Sequence, residues 1–562
     1  MKKRNAVLFL LGLFLAGWPC LEARSAHHWK VASPDGKIVV TIQQTKLPAP
    51  WPTHRTNLYY AVRLEGMQVI EPSPLGVVME GSDGDFVNNL TFRKRSTGTI
   101  NETYTLPSGK KRIYVNHANE IGLTFGNAAQ QEMVLYVRAF DDGIAYRYYF
   151  PGAGEPRTIL SEASGFKIPQ NSRAWGQPIN TNPKNQNHES MYRGGVVGKD
   201  FLTSEELWFP ALFEIPNRRG WVLVTEAAVY GDYCASRLSQ FKDGYFKVVH
   251  NRTAGAEDMV ASHLPWFTPW RAAAIGKTLA PIIETSICEN LNPPSETTDL
   301  SWIRPGRTSW TWWYASADMP DKAQNELFEK FATEEMGWEY GCGRGQMWYD
   351  WSGNYTDIRP GEGAKTRLSK GGSLAEGLDR ELAAKAASGI VILKCDFMDS
   401  DSQERMKDYD LVALTCLRHK IMLNWHGARL PGGERRRWPN MIGYEGVLGA
   451  EHYKWSDGPT LFDRVCLPFT RNVVGPMDFT GVTFTGSATQ KRDNSDAAEL
   501  ALAVLYENGI SYWGDHPDAY RARPAAMSLL KKCPSAWEDT RFVAGYPGEF
   551  VCLARKSRQA NS

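Results

Sequence analysis

Three aspartates follow a short apolar run in the stretch GIVILKCDFMDSDSQ, residues 389–403. Asp396 stands directly at the end of the run, and Asp399 and Asp401 come shortly after it. An apolar run closed by carboxylates is compatible with a catalytic edge, a metal site or a solvated turn. A buried strand that ends in Asp396 would project that carboxylate as barrel enzymes do. Asp399 and Asp401 are instead expected at the N-cap and in the first turn of the next helix, where carboxylates suit the positive helix end.

A second group of polar residues lies in NWHGARLPGGERRRWPNMIGYEGVLGAEHYKW, residues 424–455. His426 closes another apolar run, and the long loop behind it is rich in glycine, proline and arginine, which favours a functional loop. Two glycines separate Glu445 from Glu451, so the backbone between them can bend and let both carboxylates face one point. This pair is compatible with solvated surface groups, with a calcium shell of hard oxygen ligands, or with a general acid opposite Asp396.

The surrounding pattern of helices and strands predicts that both groups lie at one edge of a sheet. The helical stretch LAEGLDRELAAKAASG precedes the first run, and ERMKDYDLVALTCLRHK precedes the strand IMLNWHG. The same order recurs in LALAVLYENG and ISYWGD. Helices that alternate with short buried strands indicate a βα barrel or a doubly wound sheet, in which active sites lie at the carboxyl ends of the strands.

The N-terminal half of the chain has a different sequence pattern, one of short β-rich runs. Short β-rich runs such as GKIVVTIQQ, MVLYVRAFDDGIAYRYYF and GWVLVTEAAVYG continue from about residue 32 to residue 288, separated by turn-forming clusters. This spacing predicts a large all-β domain of the sandwich type. A polar, proline-containing link at residues 289–306 ends it.

Composition narrows the classes of protein to consider. The chain has 562 residues, which predicts two or three domains, and its 64 basic and 62 acidic side chains nearly balance. A formal charge of +2 offers no field for nucleic acid or an anionic membrane. The 20 Trp, 23 Tyr and 23 Phe exceed what core filling usually requires, and flat apolar rings also stack on sugars. The sequence contains no HExxH, GxSxG or P-loop motif, so it does not indicate a metallohydrolase, a serine hydrolase or a P-loop protein.

The N-terminus MKKRNAVLFLLGLFLAGWPCLEARSA has a basic start, an apolar run and small residues before a cleavage point. It predicts a signal peptide at residues 1–25 and an exported protein, periplasmic or extracellular in a bacterium. No later run approaches the length of a transmembrane helix. Removal of Cys20 with the leader leaves widely spaced cysteines without a CxxC pair, so neither a zinc ribbon nor a dense disulfide framework is expected.

Five motifs, in order along the chain, carry a resemblance to a known family: KCDFMDSDSQ, NWHGARLPGGERRRWPN, YEGVLGAE, LPFTRNVVGPMDFTG and DTRFVAGYPGEFVCLAR. Together they resemble glycoside hydrolase family 97, whose members are calcium-dependent, exo-acting α-glycosidases of bacteria. The resemblance implies a multidomain α and β chain with a signal peptide (1–25), an N-terminal β-super-sandwich (26–295), a (β/α)₈ TIM barrel (296–520) and a short C-terminal β-domain (521–562). Too few residues separate MWYDWSG from Asp396 for a full barrel, which indicates an abbreviated one, and the C-terminal domain looks truncated.

The resemblance also implies roles for individual residues. An aspartate at the end of the fourth barrel strand marks the retaining branch, so Asp396 would be the nucleophile and Glu451 the acid/base, with carboxyl groups about 5–5.5 Å apart. By the same resemblance, Ca²⁺ would be held by Glu189, Glu445 and Glu451. Substrate contacts are assigned to the motif residues His426, Trp425 and Arg436.

The predicted activity is hydrolysis of terminal α-linked galactosides by double displacement, with an oligosaccharide or another α-galactoside as substrate. Two alternatives stay open, an α-glucosidase of the same family and a catalytically inactive carbohydrate-binding relative. Neither nucleic acid nor a membrane is expected as a partner, and the sequence does not distinguish a monomer from a homodimer.

Overall fold

The computed structural model describes residues 27–48, 56–180, 186–201, 204–241, 244–253, 256–313, 322–343, 345–353, 362–485 and 494–558. The predicted signal peptide at residues 1–25 lies outside these ranges. Among the helices within them, not one combines the length and apolar character needed to span a membrane.

The N-terminal part of the chain folds almost entirely into strands. Strand β2 shows why, because IVVTIQQT alternates buried and half-exposed side chains along its length, the pattern of a strand with one covered face. The strands are β1 (His27–Ala32), β2 (Ile38–Thr45), β3 (Asn57–Leu64), β4 (Met67–Pro74), β5 (Val77–Met79), β6 (Thr91–Thr105), β7 (Ile113–Gly126), β8 (Glu132–Phe140), β9 (Gly143–Phe150), β10 (Pro156–Glu162), β11 (Gly165–Phe166), β12 (Arg173–Pro178), β13 (Arg193–Val196), β14 (Leu207–Ile215), β15 (Gly220–Ala227), β16 (Ser236–Leu238), β17 (Phe246–His250), β18 (Arg252–Thr253), β19 (Ala256–Glu257), β20 (Val260–His263), β21 (Trp266–Phe267) and β22 (Trp270–Gly276).

These strands form an antiparallel sandwich. A four-stranded sheet in the order β1-β2-β3-β4 packs on a 13-stranded sheet, whose main path runs β11-β17-β16-β14-β15-β22-β9-β8-β7-β6. The buried side chains of β2 join the main hydrophobic core between the two sheets. The prediction of a sheet-rich N-terminal unit is therefore confirmed.

A second unit alternates parallel strands with helices. Its strands are β23 (Gly306–Ser309), β24 (Gln346–Asp350), β25 (Ile392–Asp396), β26 (Met422–Trp425), β27 (Met441–Tyr444) and β28 (Ile510–Trp513). The order β24-β25-β26-β27 forms one parallel sheet, and β23 pairs in parallel with β28. In the described part of the chain these six strands lie in two sheets, so the closed eight-stranded barrel stays a prediction.

The helices of the described residues are α1 (Ala280–Glu284), α2 (Ile287–Asn290), α3 (Lys322–Lys330), α4 (Ala364–Leu368), α5 (Leu374–Ala387), α6 (Gln403–Arg418), α7 (Leu461–Cys466), α8 (Asp496–Leu505), α9 (Pro517–Arg521) and α10 (Pro524–Leu530). Helix α5 begins with a capping box between Ser373 and Glu376. Its buried Leu378 and Leu382 belong to a second hydrophobic core, which lies between the parallel strands β24 to β27 and their helices. Strand β24 pairs directly with β25, although α4 and α5 lie between them in sequence. The described residues thus place no additional strand between these two.

The chain closes with an antiparallel hairpin of β29 (Trp537–Tyr546) and β30 (Phe550–Ser557). It packs against the N-terminal unit, where Thr540 donates a hydrogen bond of 2.6 Å to the carbonyl of Lys110 and Arg541 forms a 2.9 Å ion pair with Glu284. Among the described residues, this hairpin is the β-structure of the segment for which the resemblance implies a short C-terminal β-domain.

Candidate active site

Asp396 is the last residue of β25, at the carboxyl end of the parallel sheet. Its Oδ2 accepts a hydrogen bond of 3.0 Å from the indole Nε1–H of Trp348, and its Oδ1 accepts one of 2.8 Å from the backbone N–H of Phe397. Phe397 has a φ of 57°, so the chain turns sharply as it leaves the strand. The turn leaves Asp396 half-buried at the sheet edge, with both carboxylate oxygens held by donors.

The imidazole of His426 lies between two carboxylates next to this edge. It follows β26 directly and is buried, with Nδ1 at 3.0 Å from Glu445 Oε1 and Nε2 at 2.7 Å from Asp478 Oδ2. Burial disfavours the charged ring, but the two carboxylates outweigh it and raise the pKa of His426 to about 10. His426 is therefore an imidazolium at neutral pH and donates a hydrogen bond through each nitrogen.

Glu445 follows β27 and is oriented by its neighbours. Besides His426, the backbone N–H of Gly427 donates to its Oε2 at 2.6 Å. Gly427 has a φ of 49°, and a Cβ there would meet the backbone of Phe397 at 2.9 Å, so the close approach of the two turns requires glycine. Burial raises the pKa of Glu445, and the charge of Glu189 adds to this effect, while His426 opposes it.

Glu451 lies in a short 3₁₀ turn at Ala450–Lys454 and is half-buried. Burial and the neighbouring charge of Glu445 raise the pKa of Glu451 to about 8, and a hydrogen bond with Glu445 contributes further. A carboxyl group with that pKa carries a proton at neutral pH. Glu451 is therefore in the state that a general acid needs, as in glycosidases, where contrasting surroundings assign two carboxyl groups different roles.

Glu189 reaches the same place from the N-terminal unit. Its Oε2 lies 2.9 Å from Nε2 of His452, a residue of the same 3₁₀ turn as Glu451. Burial and the nearby carboxylates of Glu451, Asp399 and Asp396 raise the pKa of Glu189 well above its ordinary value. The site is thus built by both units, with an N-terminal glutamate among the carboxylates of the parallel sheet.

Two residues of the site were not among those predicted. Lys394 precedes Asp396 by two positions on β25, so both side chains point to the same side of the sheet. Burial opposes its charge, but the surrounding carboxylates, foremost Asp396 and Glu451, raise the pKa of Lys394. Its ammonium lies 4.9 Å from the ring centre of Trp310. The other residue is Asp478, which accepts hydrogen bonds of 2.7 Å from Asn424 and His426.

The cluster offers oxygen ligands for a metal ion. Ligand atoms of Asp396, His426 and Glu445 all lie within 4.8 Å of one another. His426 already donates to carboxylates through both nitrogens, and calcium prefers oxygen. The predicted ligands Glu189, Glu445 and Glu451 fit calcium better, since each is an oxygen donor and burial, together with their mutual repulsion, raises the pKa of all three. A cation would relieve that repulsion.

Two predicted substrate contacts lie elsewhere. Trp425 is fully buried in the second core against Tyr409 and Tyr444, so the structure assigns it to packing, not to a sugar surface. Arg436 binds Glu102 of the N-terminal unit at 2.6 Å, and its guanidinium carbon lies 4.2 Å from the ring centre of Tyr104. The third, His426, is in the cluster, but its nitrogens hold Glu445 and Asp478.

The expected helix-capping role of Asp399 and Asp401 is wrong. Helix α6 begins at Gln403, and its N-cap is Ser402, whose side chain accepts a hydrogen bond from the N–H of Arg405. Asp401 is instead buried against His188 of the N-terminal unit, with 3.0 Å between its Oδ2 and the ring Nε2. Its carboxylate therefore joins the two units.

Two carboxyl groups in contrasting surroundings, Asp396 at the end of β25 and Glu451 in the turn after β27, form an arrangement typical of glycosidases. The sequence agrees with this class. Residues 31–294 match the family described as Glycosyl-hydrolase 97 N-terminal, and residues 308–447 match Glycoside hydrolase 97. The chain belongs to glycoside hydrolase family 97.

Individual relatives are similar over most of the chain. A protein of Streptomyces bingchenggensis named "Probable retaining alpha-galactosidase" is 33% identical over 88% of this chain and 77% of its own. The "Retaining alpha-galactosidase" of Bacteroides thetaiotaomicron is 26% identical over 95% of this chain and 86% of its own. The crystal structure of a β-arabinopyranosidase superposes with a TM-score of 0.83 and 28% identity, over 94% of this chain and 89% of that one.

Proposed function

We propose that this glycosidase is a calcium-dependent, retaining exo-enzyme that hydrolyses terminal α-galactosides. The observation that carries the proposal is the contrast between two carboxyl groups of one site. Asp396 is held by two N–H donors, whereas Glu451 keeps a proton because burial and Glu445 raise its pKa to about 8. The names of the two relatives support both the retaining mechanism and the galactoside.

The proposed mechanism is a double displacement by these two carboxyl groups. Asp396 attacks the anomeric carbon while Glu451 passes its proton to the leaving oxygen, so a glycosyl ester forms on Asp396 as the aglycone departs. Glu451, now ionised, takes a proton from the water that hydrolyses the ester. Burial opposes the charge of Lys394, but the nearby carboxyl groups, foremost Asp396, raise its pKa, so its ammonium would balance negative charge in the site. His426 holds Glu445 through Nδ1.

Calcium would be held by Glu189, Glu445 and Glu451. When bound, it would supply positive charge that neutralises the buried glutamates and orients them. His426 contacts Glu445 and His452 contacts Glu189, so these two histidines would help to orient the glutamates that hold the ion.

The remaining parts of the proposal concern architecture and location. The parallel strands β23 to β28 would form part of a (β/α)₈ barrel that is abbreviated between β24 and β25. The N-terminal leader supports export to the periplasm or the medium.

A panel of aryl glycosides tests the substrate. We expect p-nitrophenyl α-galactoside to be hydrolysed faster than the α-glucoside, and NMR to show the α-anomer as first product. Faster hydrolysis of the glucoside would move the enzyme to the α-glucosidase alternative, and β-product would exclude retention. The similar β-arabinopyranosidase makes p-nitrophenyl β-L-arabinopyranoside the third substrate, since that sugar matches α-galactose except for the missing hydroxymethyl group.

A further inference from the structure

A second pocket lies outside the carboxylate cluster. It has a volume of about 600 Å³ and opens on the N-terminal unit, between the strands β6 to β9 and the residues that follow α2. Asp396, Glu445 and Glu451 do not line it. One of its walls is Arg436, the loop arginine that the active site does not use. A pocket of this size is within the range that binds small ligands.

The pocket holds a guanidinium, that of Arg147, which lies between two aromatic rings. The guanidinium carbon of Arg147 lies 4.1 Å from the ring centre of Phe267 and 4.3 Å from that of Trp270. Within the described residues Arg147 forms no ion pair, and its buried Nε has no hydrogen-bond partner. The adjacent Arg138 already pairs with Glu120 at 2.7 Å. Glu120 also acts on Arg147 by its charge, so one carboxylate serves two neighbouring guanidinium groups and leaves positive charge for an anion.

Other buried polar atoms that line the pocket also have no hydrogen-bond partner among the described residues. Arg436 pairs with Glu102 through one terminal nitrogen, but its buried Nε has no partner among the described residues. Asn116 is 2% exposed, and its Oδ1 accepts no hydrogen bond from that part of the chain. Buried polar atoms that stay unpaired cost free energy, so they indicate a missing ligand or water. Donors and an acceptor therefore line the same pocket.

Two carboxyl groups line the pocket, and one of them, Glu102, already pairs with Arg436. The other is Asp232, and burial raises the pKa of Asp232. The charges of Arg437 and Arg147 oppose this effect of burial, so Arg147 does interact with Asp232 across the pocket. The pocket therefore combines an open positive group with an acceptor for hydroxyl hydrogens, and the half-exposed ring of Phe267 adds an apolar surface.

We propose that this pocket is a second carbohydrate site that binds a uronate, with Arg147 pairing with the sugar carboxylate and Arg436 and Asn116 hydrogen-bonding the sugar oxygens. An anion alone would use Arg147, but it would leave Asn116 unsatisfied. A neutral sugar would use Asn116, but it would leave the charge of Arg147 unbalanced. A uronate supplies a carboxylate for Arg147 and hydroxyl groups for Asn116. The site would hold the enzyme on acidic glycans and is independent of which glycoside the active site cleaves.

Calorimetry on the full chain tests the ligand. We expect D-galacturonate to bind the pocket at least about tenfold more tightly than D-galactose, the methyl ester of galacturonate or acetate, because a charge-assisted pair adds that much. The ester removes the charge and keeps the shape of the sugar, whereas acetate keeps the charge and lacks the sugar. Equal binding of the ester overturns the ionic part of the proposal, and equal binding of acetate overturns the sugar part.

Variants locate the binding. Arg147→Gln is expected to abolish the preference for galacturonate, and Arg147→Lys to retain part of it, while Arg95→Gln, at an exposed position of β6, leaves it unchanged. Hydrolysis of p-nitrophenyl α-galactoside serves as the folding control and should be the same in all three. Galacturonate binding that survives Arg147→Gln would place the ligand elsewhere and overturn the proposal. If that variant does not fold, the ester comparison on the unchanged protein decides.

Discussion

The imidazolium of His426 fixes the position of Glu445, with 3.0 Å between Nδ1 and Oε1. The second nitrogen of His426 is bound by Asp478, so the ring cannot rotate without breaking a buried ion pair. Glu445 in turn hydrogen-bonds Glu451. The orientation of Glu451, the proposed acid/base, therefore depends on a histidine whose two nitrogens are both bound by carboxylates.

His426→Gln tests this dependence. The change leaves the buried Glu445 and Asp478 without a positive partner, and loss of one member of a buried ion pair typically costs roughly 3–5 kcal/mol. We expect a lower midpoint of thermal unfolding and a large loss in kcat. His419→Gln is the matched control, because His419 pairs with the half-exposed Asp379 at 2.9 Å and such pairs contribute little. Equal effects of the two changes would contradict the role given to His426.

Azide rescue tests the roles of Asp396 and Glu451 together. Asp396→Ala should remove turnover, and azide should restore it with a β-galactosyl azide as product, because azide then attacks from the side of the lost nucleophile. Glu451→Ala should give the α-galactosyl azide instead, since azide replaces water at the intact glycosyl ester. NMR of the products distinguishes them. An unaffected rate in Asp396→Ala would end the assignment of Asp396.

Glu451→Gln should show a dependence on the leaving group. A good leaving group such as dinitrophenolate departs without a proton, whereas a sugar alcohol needs one. We expect departure of a sugar to slow by about 10²–10⁴-fold and that of dinitrophenolate to slow far less. Single-turnover kinetics on both substrates measures the difference. Equal losses would show that Glu451 is not the proton donor.

Metal removal tests the glutamate cluster. A chelator should lower activity, and added Ca²⁺ should restore it. Glu189→Gln should weaken calcium binding by about 10–100-fold, the usual effect of perturbing a metal site. Glu205→Gln, at an exposed pair with Arg193, is the control in the same unit. Unchanged calcium affinity in Glu189→Gln would remove Glu189 from the ligand set.

Asp410 is expected to make stability depend on pH. It accepts a 2.8 Å hydrogen bond from the N–H of Gly231 in the N-terminal unit, and burial raises its pKa from 3.8 to about 7. The folded state therefore holds the proton more tightly, and stability is lost as pH rises from about 4 to above 7.

Asp410→Asn keeps an acceptor for Gly231 and removes the titrating proton. Its midpoint of thermal unfolding, compared with that of the unchanged protein, should rise as pH goes from 4 to 8. Asp518→Asn, at a 71% exposed side chain, should show no such trend. A constant difference across this range would contradict the buried titration of Asp410.

The order of elements and the position of Asp396 could be predicted because they depend on local pattern. An apolar run that ends in an acid after a helix places that acid at a strand end, and the structure has β25 ending at Asp396. Lys394 could have been predicted in the same way, since residues two apart share one side of a strand. The resemblance to the family supplied Glu189, whose surrounding sequence alone indicates no function.

The remaining residues depend on contacts between distant segments. Asp478 meets His426 from more than 50 positions away, and no periodicity indicates that pairing. Trp425 and Arg436 have types suited to sugars, but residue type does not reveal that one faces a core and the other faces Glu102. Asp401 resembles a helix cap in sequence, but its carboxylate instead accepts a buried hydrogen bond from His188 of the N-terminal unit, a contact that no local pattern indicates.

The contribution of Glu189 makes the N-terminal sandwich more than an accessory module. A fragment that begins at the link (residues 289–306) and contains strands β23 to β28 would lack Glu189, one of the carboxyl groups of the site. If the N-terminal sandwich were exchanged for that of a relative, the contact between Glu189 and His452 of the parallel-sheet unit would have to be kept. Mutational drift in either half is therefore constrained by the other, and the two halves must evolve as one enzyme.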